Sequence, residues 1–173
     1  ATNTYTPPIV PITATKVWEG GPAAKPTVTL QLFQDGVAWG DPVDLVHPDL
    51  TYTWSVPNTK LDGTPYTYTV QEVSDPANPI PYTSAASGLT VTNTYVPPLR
   101  DFTGYKAWVG GEALGDRPTV LIQLYRGVSP VGDPVSFPHG KLSHTWTDLP
   151  ATDFDGNPYN YHVDEVAVPA GYS

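Results

Sequence analysis

The sequence predicts an all-β protein made of two tandem β-sandwiches, and three observations lead to that prediction. Thr, Tyr, Val and Trp are abundant, and these residues suit the pleated, half-buried surface of a strand. Short alternating runs are separated by turn residues, including 21 prolines and 15 glycines, which is the pattern of a sandwich. An ordered set of short motifs also occurs twice in the 173 residues, which indicates two copies of one module.

The composition excludes several classes of protein. The chain has no cysteine, so neither disulfides nor zinc–thiolate sites can stabilise it. Its 17 acidic and 8 basic residues give a net charge of -9, which repels phosphate and argues against nucleic-acid binding. No apolar run is long enough to cross a bilayer, so we expect no membrane contact by this fragment. The absence of a signal peptide, a sorting tail and an initial methionine predicts a piece of a longer protein.

The repeat consists of motifs that keep their order and recur at offsets of 90 to 93 residues. The pairs are Lys16-Val17-Trp18 with Lys106-Ala107-Trp108, Lys25-Pro26-Thr27-Val28 with Arg117-Pro118-Thr119-Val120, Gly40-Asp41-Pro42-Val43 with Gly132-Asp133-Pro134-Val135, Trp54 with Trp146, Asp62-Gly63-Thr64-Pro65-Tyr66 with Asp155-Gly156-Asn157-Pro158-Tyr159, and Glu72-Val73 with Glu165-Val166. Because the offset drifts so little, the two copies have the same sequence of elements.

The strands of the first copy follow from the alternation of residues and the turn signals between them. The predicted strands are residues 27–32, 52–56, 66–72 and 89–95, and a turn is predicted at residues 35–36. Lys16 is expected on an earlier strand, with Ala14 and Trp18 on the same face. Pro97-Pro98 then forms a short, semi-rigid joint to the second copy.

Three polar residues occupy positions where the alternation predicts apolar ones. Glu72 continues the inward face of Val70, and Asn93 continues the inward face of Val91. Burial disfavours charge, so it pushes the Lys16 side chain towards a neutral amine and Glu72 towards a neutral acid. A neutral amine is a nucleophile, and a protonated carboxyl can polarise an amide carbonyl and carry protons.

These groups predict attack of the Lys16 amine on the Asn93 side-chain carbonyl, with loss of ammonia and formation of an amide. Glu72 would act as the catalytic acid and base, and proximity in a dry core would supply much of the acceleration. Such a reaction is a single-turnover self-modification, so the sequence does not predict an enzyme acting on an external substrate. Asp153, Asp155 and Asn157 have the alternate spacing of a calcium loop, but Pro158 stands where such a loop needs glycine, so the segment is predicted to be a hairpin turn. No metal or cofactor is therefore predicted.

The Lys-Val-Trp opening, the Asp-Gly-Thr-Pro-Tyr turn, the Thr-Val-Gln-Glu-Val strand and the closing Val-Thr-Asn-Thr-Tyr resemble the collagen-adhesin B-type (CnaB) domain. The resemblance implies a reversed immunoglobulin-like sandwich used as a stalk or pilin module of Gram-positive surface proteins. It implies that Lys16 and Asn93 form an isopeptide bond that Glu72 catalyses. In the second copy Lys106 and Glu165 match the family's lysine and glutamate, but the bonding asparagine is absent.

The repeats are out of step with the ends of the chain. Residues 2–8 match residues 92–98, and Asn3 precedes Lys16 by the same 13 residues that separate Asn93 from Lys106. The predicted organisation is therefore a displaced last strand at residues 1–8, a complete sandwich at 9–97, and a sandwich without its final strand at 98–173.

Three interpretations of the displaced strand remain open. The plainest is that the piece begins and ends one strand out of step, with Asn3 idle. In the second, residues 1–6 of one molecule dock into the second module of another without a covalent bond. In the third, Asn3 bonds to Lys106 under Glu165 and joins molecules head to tail. We favour docking over an idle strand, because an uncovered module exposes its core and a strand edge, and the sequence leaves open whether the Asn3–Lys106 bond then forms.

The predicted function is a structural or adhesive stalk segment of a secreted, cell-wall-anchored surface protein, with further copies of itself as possible partners. The alternative is a ligand-binding module for a carbohydrate or a host matrix protein. For a carbohydrate the candidate ring is Trp39, because the other four tryptophans recur between the copies and so favour core packing.

Overall fold

The structure is a computed structural model that describes residues 1–172. The chain divides into two compact units, here called the first module (Ala1–Val96, with Phe154–Gly156 counted in it) and the second module (the remainder from Pro97). In the described part of the chain, strands make up the regular structure apart from one 3-10 turn at Glu112–Leu114. The predicted fold class, all-β with tandem sandwiches of which the second lacks its last strand, is confirmed. No helix within residues 1–172 has the length and apolarity needed to traverse a bilayer.

The first module contains seven strands in two sheets. They are β1 Ile9–Glu19, β2 Val28–Gln34, β3 Val37–Leu45, β4 Thr51–Pro57, β5 Tyr68–Val73, β6 Tyr82–Ser87 and β7 Thr90–Tyr95. One sheet has the order β4-β1-β7-β6 and the other has the order β3-β2-β5. All neighbours are antiparallel except β1 and β7, which run parallel.

The core of the first module lies between these two sheets. Strand β1 alternates between exposed and covered positions, so that Ala14 and Lys16 face inward, as predicted. The fully buried apolar residues are Ala14, Leu30, Leu32 and Val56, together with Val70 and Val91 at 1% exposure or less. Lys16 and Asn93 therefore lie among aliphatic side chains.

The second module contains five strands, also in two sheets. They are β8 Leu99–Tyr105, β9 Val120–Arg126, β10 Ser129–Phe137, β11 Ser143–Pro150 and β12 Tyr161–Glu165. The sheets have the orders β11-β8 and β10-β9-β12. Counterparts of β6 and β7 are absent from the part of this module that the structure describes, and its buried residues form two small clusters instead of one.

The missing neighbour of β8 changes the strand itself. In the first module, β1 continues to Glu19 because its residues Thr15–Glu19 pair with β7. In the second module, β8 ends at Tyr105, and the following residues 106–109 have no strand structure. A strand needs a hydrogen-bonded neighbour, so the edge of β8 that corresponds to the β1–β7 pairing is open.

A buried glutamine stabilises the same irregularity in both modules. Gln31 donates from Nε2 to the carbonyl oxygens of Trp39 and Gly40 at 3.1 and 3.3 Å, where the β2–β3 register shifts. Gln123 makes the equivalent contacts to Val131 and Gly132, at 3.2 Å each. These side chains satisfy carbonyl groups that the bulge removes from the ladder.

The structure departs from the predicted elements in three places. Strands β3 and β6 were not predicted, and β5 begins at Tyr68, so Tyr66 lies outside it. Residues 1–8 form no strand, and residues 1–6 are exposed. Its sequence is typical of a strand, but in this structure the segment pairs with no sheet edge and so forms no ladder of backbone hydrogen bonds.

Candidate functional site

The three predicted reactive residues of the first module meet in its core. Lys16 on β1 and Asn93 on β7 belong to neighbouring strands of one sheet, where Asn93 pairs with Trp18 and Lys16 pairs with Val91. Glu72 on β5 belongs to the opposite sheet. The Lys16 side chain is 0% exposed and that of Glu72 is 9% exposed. Asn93 is fully buried as well, so the site is closed off from water on nearly all sides.

Glu72 contacts both of the other groups. Its Oε2 lies 3.7 Å from Lys16 Nζ, and its Oε1 accepts a hydrogen bond of 3.0 Å from Asn93 Nδ2. The amine also donates to the carbonyl oxygens of Val17 and Val91, at 3.1 and 3.4 Å. One carboxylate thus connects a buried amine to a buried amide.

Two oxygen atoms of this site lack hydrogen-bond partners. They are Glu72 Oε2 and Asn93 Oδ1, and both are buried. Leaving such atoms unpaired is costly, so a site retains them only when something compensates. A half-turn of the Asn93 amide exchanges the positions of its oxygen and nitrogen. Oδ1 then accepts a hydrogen bond from the Glu72 carboxyl group when that group is protonated. Glu72 Oε2, 3.7 Å from the Lys16 amine, is thus placed to exchange a proton with it, and Asn93 Oδ1 is the carbonyl oxygen that a protonated Glu72 would polarise.

Burial alters the acid–base behaviour of the amine. Removal from water lowers the pKa of Lys16 from its ordinary value of 10.5 to about 8, and the Glu72 carboxylate opposes part of this effect. A neutral amine is consequently accessible close to physiological pH. This is the protonation state that a nucleophilic lysine requires.

The second module brings together two of the three expected groups. Lys106 Nζ lies 3.1 Å from Glu165 Oε2, with the side chains 18% and 16% exposed. Glu165 Oε1 is buried without a hydrogen-bond partner. A cavity of about 170 Å³ adjoins the pair, and its wall comprises Lys106, Ala107, Trp108, Val109, Glu165, Val168, Pro169 and Tyr172. Asn3, the predicted third group, lies in the exposed segment at the start of the first module.

An aromatic cluster beside each lysine was not identified as part of the site from the sequence. Trp18 was interpreted there as core packing, yet Lys16 Nζ lies 4.2 Å from the centre of its ring. The rings of Tyr82 and Trp18 meet edge to face with their centres 4.8 Å apart, and Lys25 Nζ lies 6.0 Å from the centre of the Trp18 ring. The recurrence of Lys25 as Arg117 was the available signal, because a repeated basic residue near a repeated tryptophan indicates a shared contact.

Other features of the described residues bear on binding. No group of three or more His, Asp or Glu side chains in residues 1–172 could hold a metal ion. A cleft of about 700 Å³ lies in the first module, with Val28, Ile80 and Tyr82 in its wall. Trp39 is half-buried and packs against the core, so it is not the freely exposed ring considered from the sequence.

The chain is similar to solved structures of bacterial surface proteins. One is the crystal structure of two B repeat units of the collagen-binding protein of Staphylococcus aureus, with 26% identity and a TM-score of 0.44 over 98% of this chain and 46% of that one. A single B repeat unit of the same protein has 24% identity and a TM-score of 0.43 over 96% and 90%. The pilus adhesin SpaC of Lactobacillus rhamnosus GG, in an open conformation, has 14% identity and a TM-score of 0.38 over 96% and 21%.

The sequence is also similar to a curated protein and to a family profile. A collagen adhesin of Staphylococcus aureus is 30% identical over 179 aligned residues, which include 96% of this chain. The chain spans 15% of the length of that adhesin. The profile of the Cna protein B-type domain matches residues 12–94 and, a second time, residues 102–173.

Proposed function

The chain belongs to the Cna protein B-type domain family, adhesin- and pilin-like domains of surface proteins, and from this premise we propose that it is a stalk segment stabilised by an autocatalytic Lys16–Asn93 isopeptide bond. A stalk module must hold its fold outside the cell, where proteases and denaturing conditions act. Without cysteine, this chain cannot use disulfides for that purpose. A lysine–asparagine crosslink between first and last strands would serve instead.

The observation that carries the proposal is the enclosure of an amine, a carboxylate and an amide in one apolar core. An isolated buried lysine destabilises a fold, and so does an isolated buried glutamate. Here the two lie 3.7 Å apart, and Asn93 donates to the same carboxylate. Conversion of the lysine and asparagine into a neutral amide would remove the cost of keeping a charged amine out of water.

The proposed reaction balances protons within the site. Lys16 first transfers a proton to Glu72, which leaves a neutral amine and a neutral acid. The amine then attacks the Asn93 side-chain carbon, while Glu72 donates its proton towards the amide nitrogen and accepts one from the attacking nitrogen. The C–N bond of the amide breaks, ammonia leaves and carries off a proton as ammonium, and Glu72 returns to its carboxylate form. The whole process is a single turnover.

Intact mass tests this reaction directly. Each bond releases one ammonia, so the chain should weigh about 17 Da less than its sequence requires. Peptide mapping should then recover the fragments containing Lys16 and Asn93 as one branched species. Lys16→Met should restore the full mass. An unmodified mass in the folded wild-type chain would contradict the proposal.

We further propose that the second module accepts a strand that carries the missing asparagine, and that Asn3 of another copy of this chain is such a donor. The open edge of β8, the unpartnered Glu165 Oε1 and the cavity beside Lys106 support this proposal. By the register of β1 and β7, the incoming asparagine would lie opposite Trp108. Bonding to Lys106 would then join molecules head to tail.

A denaturing gel tests the head-to-tail link. Wild-type protein at high concentration should give a ladder of multimers that survives boiling, and both Asn3→Ala and Lys106→Met should remove that ladder. Oligomers that appear only under native conditions would mean docking without a bond. A monomer under both conditions would contradict the complementation proposal and leave the Lys16–Asn93 proposal untouched.

A second candidate function is binding of a host matrix protein. It is favoured by the similarity to a protein described as a collagen adhesin, and the cleft in the first module offers a place for a ligand. Surface plasmon resonance on immobilised collagen tests it, with a Tyr82→Ala variant to perturb the cleft. Saturable binding that Tyr82→Ala weakens would support this candidate. Carbohydrate binding through Trp39 is disfavoured because that ring packs against the core.

A further inference from the structure

The lysine of each module lies over a tryptophan two residues further along the chain. The distance from Lys16 Nζ to the centre of the Trp18 ring is 4.2 Å, and the distance from Lys106 Nζ to the Trp108 ring is also 4.2 Å. The surroundings of the two lysines differ, because the first side chain is fully buried and the second is 18% exposed. The second module also lacks the asparagine. The contact is therefore a property of the lysine–tryptophan pair and not of the complete site.

Each tryptophan is itself held by the same neighbours. In the first module, Tyr82 packs edge-on against Trp18. In the second, the rings of Tyr172 and Trp108 meet edge to face with their centres 4.9 Å apart, and Arg117 Cζ lies 5.6 Å from the centre of the Trp108 ring.

A glycine completes this arrangement and explains its close packing. A β-carbon at Gly21 would collide with the hydroxyl oxygen of Tyr82, and one at Gly111 would lie 2.7 Å from a guanidinium nitrogen of Arg117. Both glycines have positive φ, at 76° and 75°. The ring that contacts the lysine is thus fixed from several sides.

We propose that Trp18 is a positioning residue for the isopeptide reaction, holding the Lys16 amine in reach of Glu72 and Asn93, and that Trp108 does the same for Lys106. This inference rests on the proposed function, since it assigns a role within that reaction. A lysine side chain has four rotatable bonds, and a nucleophile reacts faster when its conformations are restricted to those near the electrophile. The indole face attracts the ammonium form of the lysine, whose Nζ lies 4.2 Å from the centre of the ring.

The physical argument makes two separate predictions for loss of the ring. Without the indole the amine samples more conformations, so the maximal rate of bond formation should fall about tenfold. The ring also stabilises the ammonium form. Removal of the ring should therefore lower the pKa of the lysine. The pH at which the plot of rate against pH changes slope should fall with it, by up to about one unit. A tryptophan that acts only in core packing would produce neither change in the folded protein.

The test follows bond formation in time. Chains recovered unlinked from inclusion bodies in denaturant are refolded by dilution at a series of pH values, quenched in acid and scored by the loss of ammonia in intact mass. Trp18→Leu removes the ring, Trp18→Phe keeps an aromatic face, and Trp54→Leu is the matched control, since Trp54 is a buried core tryptophan on β4. Far-ultraviolet circular dichroism of each variant in a Lys16→Met background checks that the sandwich still folds.

We expect Trp18→Leu to be slow with a lowered inflection, Trp18→Phe to recover most of the rate, and Trp54→Leu to react like the wild type once folded. A folded Trp18→Leu chain with the wild-type rate and inflection would overturn this inference alone. Equal slowing by Trp18→Leu and Trp54→Leu would also overturn it, because the effect would then be one of packing. If the wild-type chain loses no ammonia, the proposed function fails and this inference fails with it.

Discussion

The two modules have the same lysine–glutamate pair, but they bury it to different extents. In the first module the pair is 3.7 Å apart and the lysine is completely covered; in the second it is 3.1 Å apart and both side chains are partly exposed. The difference follows from one absence, since the described part of the second module has no strand in the place of β7. A last strand therefore contributes two things at once, the asparagine and the burial that makes the lysine nucleophilic.

The largest expected effect concerns the catalytic carboxyl group. Glu72→Gln removes proton transfer while keeping the shape of the side chain, so Lys16–Asn93 bond formation should slow by roughly a hundred- to ten-thousand-fold. Intact mass over hours to days after refolding measures this rate. The matched change Glu165→Gln in the second module should leave bond formation in the first module unaltered. Equal slowing by both changes would mean that the modules do not act independently.

The next effect concerns stability. The bond would close a loop from residue 16 to residue 93, and a crosslink of that span constrains the unfolded chain by about 4 kcal/mol. Lys16→Met should therefore lower the free energy of unfolding of the first module by about that amount, measured by chemical denaturation. Lys106→Met should lower the stability of the monomer by less, because no crosslink is lost and the Lys106–Glu165 pair keeps partial access to water. A smaller loss of unfolding free energy for Lys16→Met than for Lys106→Met would contradict the prediction that only the first module is crosslinked in the monomer.

The pH dependence is expected to be intermediate in size. The proposed reaction uses a Lys16–Glu72 pair that shares one proton, and burial lowers the pKa of Lys16 to about 8. The rate of bond formation should therefore be nearly level just below pH 8 and fall about tenfold per pH unit above it, as the pair loses that proton. Refolding at controlled pH followed by mass analysis provides the profile. A rate that keeps rising to pH 10 would contradict the assignment of Lys16 as the nucleophile.

The same pKa has a consequence for the unlinked state, which Asn93→Ala would preserve. An unfolded lysine keeps its proton up to about pH 10.5, whereas the folded one releases it near pH 8. Between these values the unfolded state binds more protons, so the stability of the unlinked module should rise with pH from about 8 to 10.5. Below pH 8 the full cost of burying the ammonium remains. Denaturation midpoints across this range measure the effect, and a falling trend would contradict it.

The smallest expected effect is one that both modules should share. Gln31→Leu and Gln123→Leu each leave bulge carbonyl groups without their donor, at a cost of about 1–3 kcal/mol. Thermal unfolding of each variant, made in the Lys16→Met background, measures both costs without interference from a crosslink. Similar losses would confirm a common scaffold beneath two different sites, and a loss confined to one module would argue against it.

The sequence predicted the parts of this fold that carry a periodic signal. Glu72 and Asn93 each continued an apolar face, and that was enough to place both side chains in the core. Strand β6 was missed because its sequence, Tyr82–Ser87, has no alternation of apolar and polar residues. Strand β3 was missed because it contains Gly40-Asp41-Pro42, which in isolation favours a turn.

Side-chain contacts and contacts between molecules were harder to predict than strands. The lysine–tryptophan contact depends on side-chain conformations, which no periodicity encodes. The role of Asn3 depends on a second molecule, so the fold of one chain leaves it a prediction. In contrast, the buried glutamines could have been found, because Gln31 and Gln123 recur at the offset of 92 that the neighbouring motifs share.

The parallel pairing of β1 with β7 determines how the first module would respond to tension along the chain. A pull applied at Ile9 and at Tyr95 in opposite directions would slide two parallel strands past each other, so that all their hydrogen bonds resist together in shear. With Lys16 joined to Asn93 near the middle of the paired segment, tension would pass through the covalent link, and residues 17–92 would carry no load. Roughly 250 Å of chain would thus be withheld from extension.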